Sequence, residues 1–265
     1  MELLGYFLAA LVGISLGLIG GGGSILMVPI LVYVFAINPV IATSYSLFVV
    51  GSTSLLGAIN NYRKGLVSIK TALLFGLSSI TTVFITRKLI MPVIPDVLFS
   101  IGTFQVKHEL ATMLLFAILM LMASVAMIRR RKDGPHVDTT ISTTDTAKLL
   151  GYGMLIGLAT GFLGAGGGFL IIPALVLIVK MPMKKAVGTS LLIIALNSLI
   201  GFTGDLGHVI IDWKFLLTVS AIAITGIFIG GAIAKKIAGE KLKRGFGWFV
   251  LVMGIYIIIK ELFFT

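Results

Sequence analysis

Cysteine is absent from this 265-residue chain, and acidic residues are few: 10 Asp and Glu stand against 21 Lys and Arg. Without thiols there is no disulfide framework, no thiolate metal site and no cysteine nucleophile. Charged residues of both signs make up only 12% of the chain, about half the share of a soluble domain. Apolar residues make up 58%, and the mean hydropathy is +1.12. A soluble globule of this size leaves too many residues at its surface to hide so much apolar side chain. An ordinary soluble domain, a disordered chain and a secreted mini-scaffold are excluded. The composition points to an all-α, polytopic helical membrane protein.

A span needs about 20 apolar residues. Ten charge-poor runs qualify as segments: 3–19, 24–37, 40–60, 69–86, 110–128, 149–163, 168–179, 186–204, 213–234 and 245–263. The first lacks a basic leader, carrying Glu2 and neither Lys nor Arg, and reads as mature structure. The runs 24–37 and 168–179 are short for a crossing, follow glycine clusters and contain Pro29 and Pro173. Each either crosses fully or forms a re-entrant hairpin with its predecessor.

Arg129, Arg130, Arg131 and Lys132 open a polar linker that ends near Lys148. The division expected is a first membrane repeat over 1–128, a linker over 129–148 and a second repeat over 149–265. With the linker in the cytoplasm, 16 of the 21 basic residues fall in inside loops. That is the bias expected of an inner or plasma membrane protein. The net charge of +11 is therefore a topology signal, and no nucleic-acid partner is expected. The linker's basic run also suits anionic lipid headgroups. On this count Arg87 and Lys88 belong to an outside loop.

The chain repeats itself. GLIGGGGSILMVPILV starts at Gly17 and GFLGAGGGFLIIPALV at Gly161, an offset of 144 that runs without a gap over residues 13–86. Matches include Gly20/Gly164, Gly23/Gly167, Pro29/Pro173, Ser46/Ser190 and Gly57/Gly201. Apolar bias does not explain matched glycines and prolines. Five segments per repeat is odd, so the second repeat is expected to enter the membrane from the opposite side. Inverted repeats with broken helices are the pattern of secondary transporters, whose sites lie between the repeats near the midplane. The first copy carries extra residues, 88–108, placed in the interfacial region.

The glycine clusters give the first candidate site: Gly20, Gly21, Gly22 and Gly23 with Ser24, and Gly164, Gly166, Gly167 and Gly168. A helix that starts after such a cluster presents unpaired N–H groups and a partial positive charge. Two such starts arriving from opposite faces would hold an anion without a charged side chain. The alternative is that the glycines only let helices pack closely. A second stripe comprises Ser46, Thr53 and Gly57, spaced to share one helical line, with Ser190, Asn197 and Gly201 opposite and Thr189 beside them. These side chains either donate to an oxyanion or bond between helices. No carboxylate stands mid-segment, which argues against a cation pore or a carboxylate proton pump. Asp205 and His208 are the candidate protonatable pair for coupling; otherwise they are solvated loop residues. Enzyme motifs are missing, and neither metal nor cofactor is expected.

GLIGGGGSILMVPIL (17–31) with IATSYSL (41–47), and GFLGAGGGFLIIPAL (161–175) with AVGTSLL (186–192), resemble the TauE/SafE family of sulfite-exporter-like permeases. Tyr45 departs from the pattern where the second half has Thr189. The resemblance implies transport, usually export, of a small sulfur-containing anion such as sulfite or a sulfonate. The expected mechanism is alternating access within a lipid bilayer, with H⁺ or Na⁺ as the coupling ion to be considered. The competing readings are a passive anion channel and a membrane scaffold or assembly factor without a substrate.

Overall fold

The computed structural model describes residues 2–263, apart from 22, 96, 102–103, 129–142, 165, 178, 180 and 235–238. Among the described residues, ten α-helices follow the ten expected segments. They are α1 (Glu2–Ile19), α2 (Ser24–Tyr33), α3 (Pro39–Tyr62), α4 (Ile69–Ile85), α5 (His108–Ile128), α6 (Thr143–Leu163), α7 (Gly168–Leu177), α8 (Met183–Asp205), α9 (Trp213–Ile233) and α10 (Gly239–Phe263). The protein is a helical, polytopic membrane protein. Among the described residues, Pro39–Tyr62, Ile69–Val93, Met183–Asp205 and Trp213–Ile233 are long and apolar enough to cross a bilayer. The outward faces of α4 and α9 are apolar, with Leu73, Leu77, Leu217, Phe228 and Ile229 exposed, as lipid contact requires.

Local signals account for several helix ends. Asn38 accepts from the Val40 N–H with Pro39 in the first turn of α3, and Asp212 accepts from the Phe215 N–H at the start of α9. The main departure lies after α4. The helix does not stop at residue 86. It widens into a π-helical turn, Thr86–Ile90, and tightens into a 3-10 turn, Met91–Val93. Val97–Ile101 (β1) then pairs antiparallel with Phe104–Lys107 (β2). This small hairpin occupies the extra length of the first repeat. The basic run of the linker, Arg129–Lys132, lies outside the described residues.

Packing follows the repeat. α1 lies against α9 as α6 lies against α4, and α3 against α9 as α8 against α4, while α3 pairs with α8 and α5 with α10. Backbone bonds recur at the same offset: Gly20 N–H to Leu16 and Gly164 N–H to Thr160, Phe35 to Ile30 and Val179 to Ala174, Ile37 to Leu31 and Met181 to Leu175. α3 and α8 run antiparallel. The start of α3 meets the end of α8 where Ser44 bonds Asp205, and the end of α3 meets the start of α8 where Gly188 packs against Asn61.

The short helices are hairpin arms. At ten residues each, α2 and α7 span only about 15 Å. Phe35, just after α2, stacks edge-on to Tyr6 near the start of α1, with ring centroids 5.4 Å apart. The α1–α2 unit thus returns to the end from which it came.

Candidate functional site

Each hairpin turns at a glycine elbow. Gly20 and Gly164 both take left-handed backbone, with φ of +84° and +64°, which residues bearing a Cβ avoid. Each elbow lies on the opposite half. A methyl group added at Gly20 would stand 2.5 Å from a methyl carbon of Val187 on α8; one added at Gly164 would stand 2.5 Å from the Cβ of Thr43, the matching position on α3. The elbows also meet each other. A methyl at Gly168 would lie 2.6 Å from the Cα of Gly21, so these two backbones touch. Gly20, Gly21, Gly23, Ser24, Gly164, Gly166, Gly167 and Gly168 are all buried. Gly22 lies outside the described residues.

The side-chain stripes run along α3 and α8, the two helices the elbows pack against. Ser46, Thr53 and Ser54 on α3 and Asn197 and Ser198 on α8 are fully buried. The hydroxyls of Ser46, Thr53, Ser54 and Ser198, and the amide oxygen of Asn197, have no hydrogen-bond partner among the described residues. Buried polar atoms ordinarily find partners. Ser198 faces the second elbow, its hydroxyl 2.8 Å from where a Gly166 methyl would stand. Asn197 donates its amide to the Ser79 hydroxyl at 2.6 Å. Ser190 donates to the Val187 carbonyl and, at 3.3 Å, to the Gly20 carbonyl of the first elbow. Ser24 donates back across its own elbow to the Gly21 carbonyl. Thr189 lies between Val187 and Ser190 near the start of α8, and its hydroxyl is taken by the Ser68 N–H, which it accepts at 2.9 Å.

Asp205 and His208 do not form the expected pair. His208 is exposed and touches Asp205 only through its backbone N–H, which bonds the Asp205 carbonyl. Asp205 is buried, so the solvated-loop reading also fails for it. Its partner is Arg87, whose Nη1 lies 3.1 Å from the carboxylate, with side chains 1% and 6% exposed. Ser44 donates to the same carboxylate oxygen, and the Arg87 Nη1 also donates to the Thr43 hydroxyl at 3.0 Å. The assignment of Arg87 to an outside loop is therefore corrected: the π-helical turn carries it inward, against Gly204 of α8. Asp205 is the last residue of α8, where the helix dipole disfavours a carboxylate, and Arg87 offsets that. The sequence reading missed Arg87. The signal available was a basic pair followed by more apolar residues, Leu89 to Ile94, rather than by a polar loop.

Two half-helix hairpins whose glycine elbows touch, set in an apolar helical bundle, form a membrane-transporter architecture. The family model described as Sulfite exporter TauE/SafE matches residues 6–257, and the chain belongs to that family. A "Probable membrane transporter protein" of Xylella fastidiosa is 34% identical over 255 residues, covering 95% of this chain and 92% of its own. "Probable membrane transporter protein YunE" of Bacillus subtilis is 27% identical over 267 residues, covering 93% of each. A "Probable membrane transporter protein" of Haemophilus influenzae is 27% identical over 284 residues, covering 97% and 98%. No solved structure matches the chain. The protein is a membrane transporter of this family and not an enzyme.

Proposed function

We propose that the protein moves a small sulfur-containing anion, such as sulfite or a sulfonate, across the inner membrane by alternating access between two inverted repeats. The observation that carries this reading is the meeting of two glycine elbows, Gly20–Gly23 and Gly164–Gly168, inside the bundle among buried hydroxyls that lack partners. A transported oxyanion would supply the missing acceptors. Backbone N–H groups at the starts of α2 and α7 would bind it, with Ser46, Thr53, Ser198 and the Asn197 amide as side-chain donors. In the present conformation Gly21 and Gly168 touch, which corresponds to a closed path. The anion enters when the elbows part. Export is the direction that the family's description favours.

In this reading the linker 129–148 faces the cytoplasm, joining repeats 1–128 and 149–265, and Asp205 is the group through which a proton would couple. The test is flux into proteoliposomes holding the purified chain, with sulfite, sulfoacetate, thiosulfate and acetate offered separately. Saturable flux of sulfite or sulfoacetate, raised by an imposed pH or Na⁺ gradient, is expected. Acetate flux alone would replace the substrate class, and flux that follows only the anion's own gradient would make the protein a channel.

A further inference from the structure

The Arg87–Asp205 pair stands at only one of two equivalent ends of the α3–α8 pair. At the other end the matching positions are Gly231 for Arg87, Asn61 for Asp205, and Val187 and Gly188 for Thr43 and Ser44. Among the described residues that end closes without an ion pair: Gly188 packs against the Leu66 carbonyl and Asn61, and Asn61 donates to the Gly57 carbonyl at 2.9 Å. The helix crossing therefore does not require an ion pair. Burying two charges is costly and often no more stabilising than apolar packing. The pair at one end needs another explanation.

The guanidinium supplies it. Arg87 uses only Nη1, toward Asp205 and Thr43. Nε and Nη2 are buried and have no partner among the described residues. These two nitrogens form one edge of the planar fork, spaced to donate in parallel to two oxygens of one oxyanion. Arg87 itself stands one residue away from the second elbow. Thr43, which accepts from Arg87, is the residue that Gly164 packs against, and Thr86, beside Arg87, packs against Gly161.

We propose that the Nε–Nη2 edge of Arg87 is an anion subsite at this end of the path, taking a small oxyanion with two coplanar acceptor oxygens, and that Asp205 is its internal competitor. This rests on the anion-transport reading above. With no anion, Asp205 neutralises the buried cation. An arriving oxyanion engages the open edge, weakens the hold of Arg87 on Asp205 and loosens the contact between α4 and α8. Occupancy of the subsite and release of this end of the path are then one event. A spherical anion such as chloride gains nothing from the fork.

The test is thermal-shift titration of the purified full chain with sulfite, sulfoacetate and chloride at constant ionic strength. Asp205→Asn keeps the volume but removes the competing charge, and it should tighten the apparent sulfite Kd at least tenfold. Arg87→Lys keeps the charge but loses the fork, and it should weaken it at least tenfold. The double variant Arg87→Gln/Asp205→Asn carries no charge to leave unpaired; it should fold and bind sulfite at least tenfold more weakly than wild type. It decides the matter where Asp205→Asn is too unstable to purify without anion. Wild-type sulfite binding left unchanged in the double variant, or chloride binding as well as sulfite, overturns the subsite and leaves the elbow reading standing. No response of wild type to any oxyanion overturns both.

Discussion

Gly21 and Gly168, 147 positions apart, touch backbone to backbone where the two elbows cross, and neither has room for a methyl group. Alanine at either one overpacks the same contact, at a cost of about 1–3 kcal/mol. Because both substitutions push the elbows apart, the second should add little to the first. Melting of the Gly21→Ala, Gly168→Ala and double variants in detergent should show coupling beyond about 0.5 kcal/mol. Simple additivity would mean that the elbows do not bear on each other.

Gly164 and Gly65 share left-handed backbone, with φ of +64° and +70°, but only Gly164 is enclosed. Gly65→Ala should lose only the conformational term, about 1–2 kcal/mol. Gly164→Ala adds a clash with Thr43 and should lose more. The comparison is made by thermal melting, with Gly65→Asn expected to be nearly neutral, because Asn tolerates this backbone.

Ser54 and Ser198 occupy matching positions, and both hydroxyls are buried without partners. Removing an unsatisfied hydroxyl costs little stability, whereas removing a donor to a bound anion costs about 1.5–3 kcal/mol of binding. Ser198→Ala should therefore melt within a degree or two of wild type while raising the KM for sulfite flux about tenfold or more. A variant with lower stability and an unchanged KM would assign Ser198 to packing.

Breaking the Arg87–Asp205 pair one partner at a time should destabilise the fold by about 3–5 kcal/mol, while Arg87→Met with Asp205→Leu should recover most of that loss. The readout is chemical or thermal unfolding in detergent. Equal stability of the single and double variants would contradict the burial of both charges.

Absence of cysteine lets topology be tested with single introduced thiols. Lys64 and His208 are exposed and stand at matching positions of the two repeats. Inverted repeats place Lys64→Cys inside and His208→Cys outside, so a membrane-impermeant maleimide added to intact cells should label only the latter. Labelling both would contradict the inversion.

The elbows were legible in the sequence because their backbone demands it. Gly20 and Gly164 hold a conformation that excludes most residues, and the matched Pro29 and Pro173 fix the same register. Burial of the Ser46, Thr53 and Asn197 stripe followed from helical spacing. The burial of Arg87 was signalled only by the apolar residues after it, Leu89 to Ile94; a basic pair closing an apolar run otherwise reads as a solvated loop, and its partner Asp205 is 118 positions away. Only the π-helical turn, which shifts the helical register, brings it inward. Asp205 was misread for the same reason, paired with the neighbour in sequence rather than the neighbour in space. Whether α2 crosses or returns was equally hidden, and the Phe35–Tyr6 contact decided it.

The central claim is that the crossed elbows are where the anion binds. The most direct measurement is saturable sulfite flux in proteoliposomes by Gly168→Ala, which has no left-handed backbone to strain and would place a methyl group against Ile194 and Gly21. The account predicts a protein that inserts and remains monodisperse yet has lost saturable flux. A well-folded variant with wild-type flux and KM would contradict it.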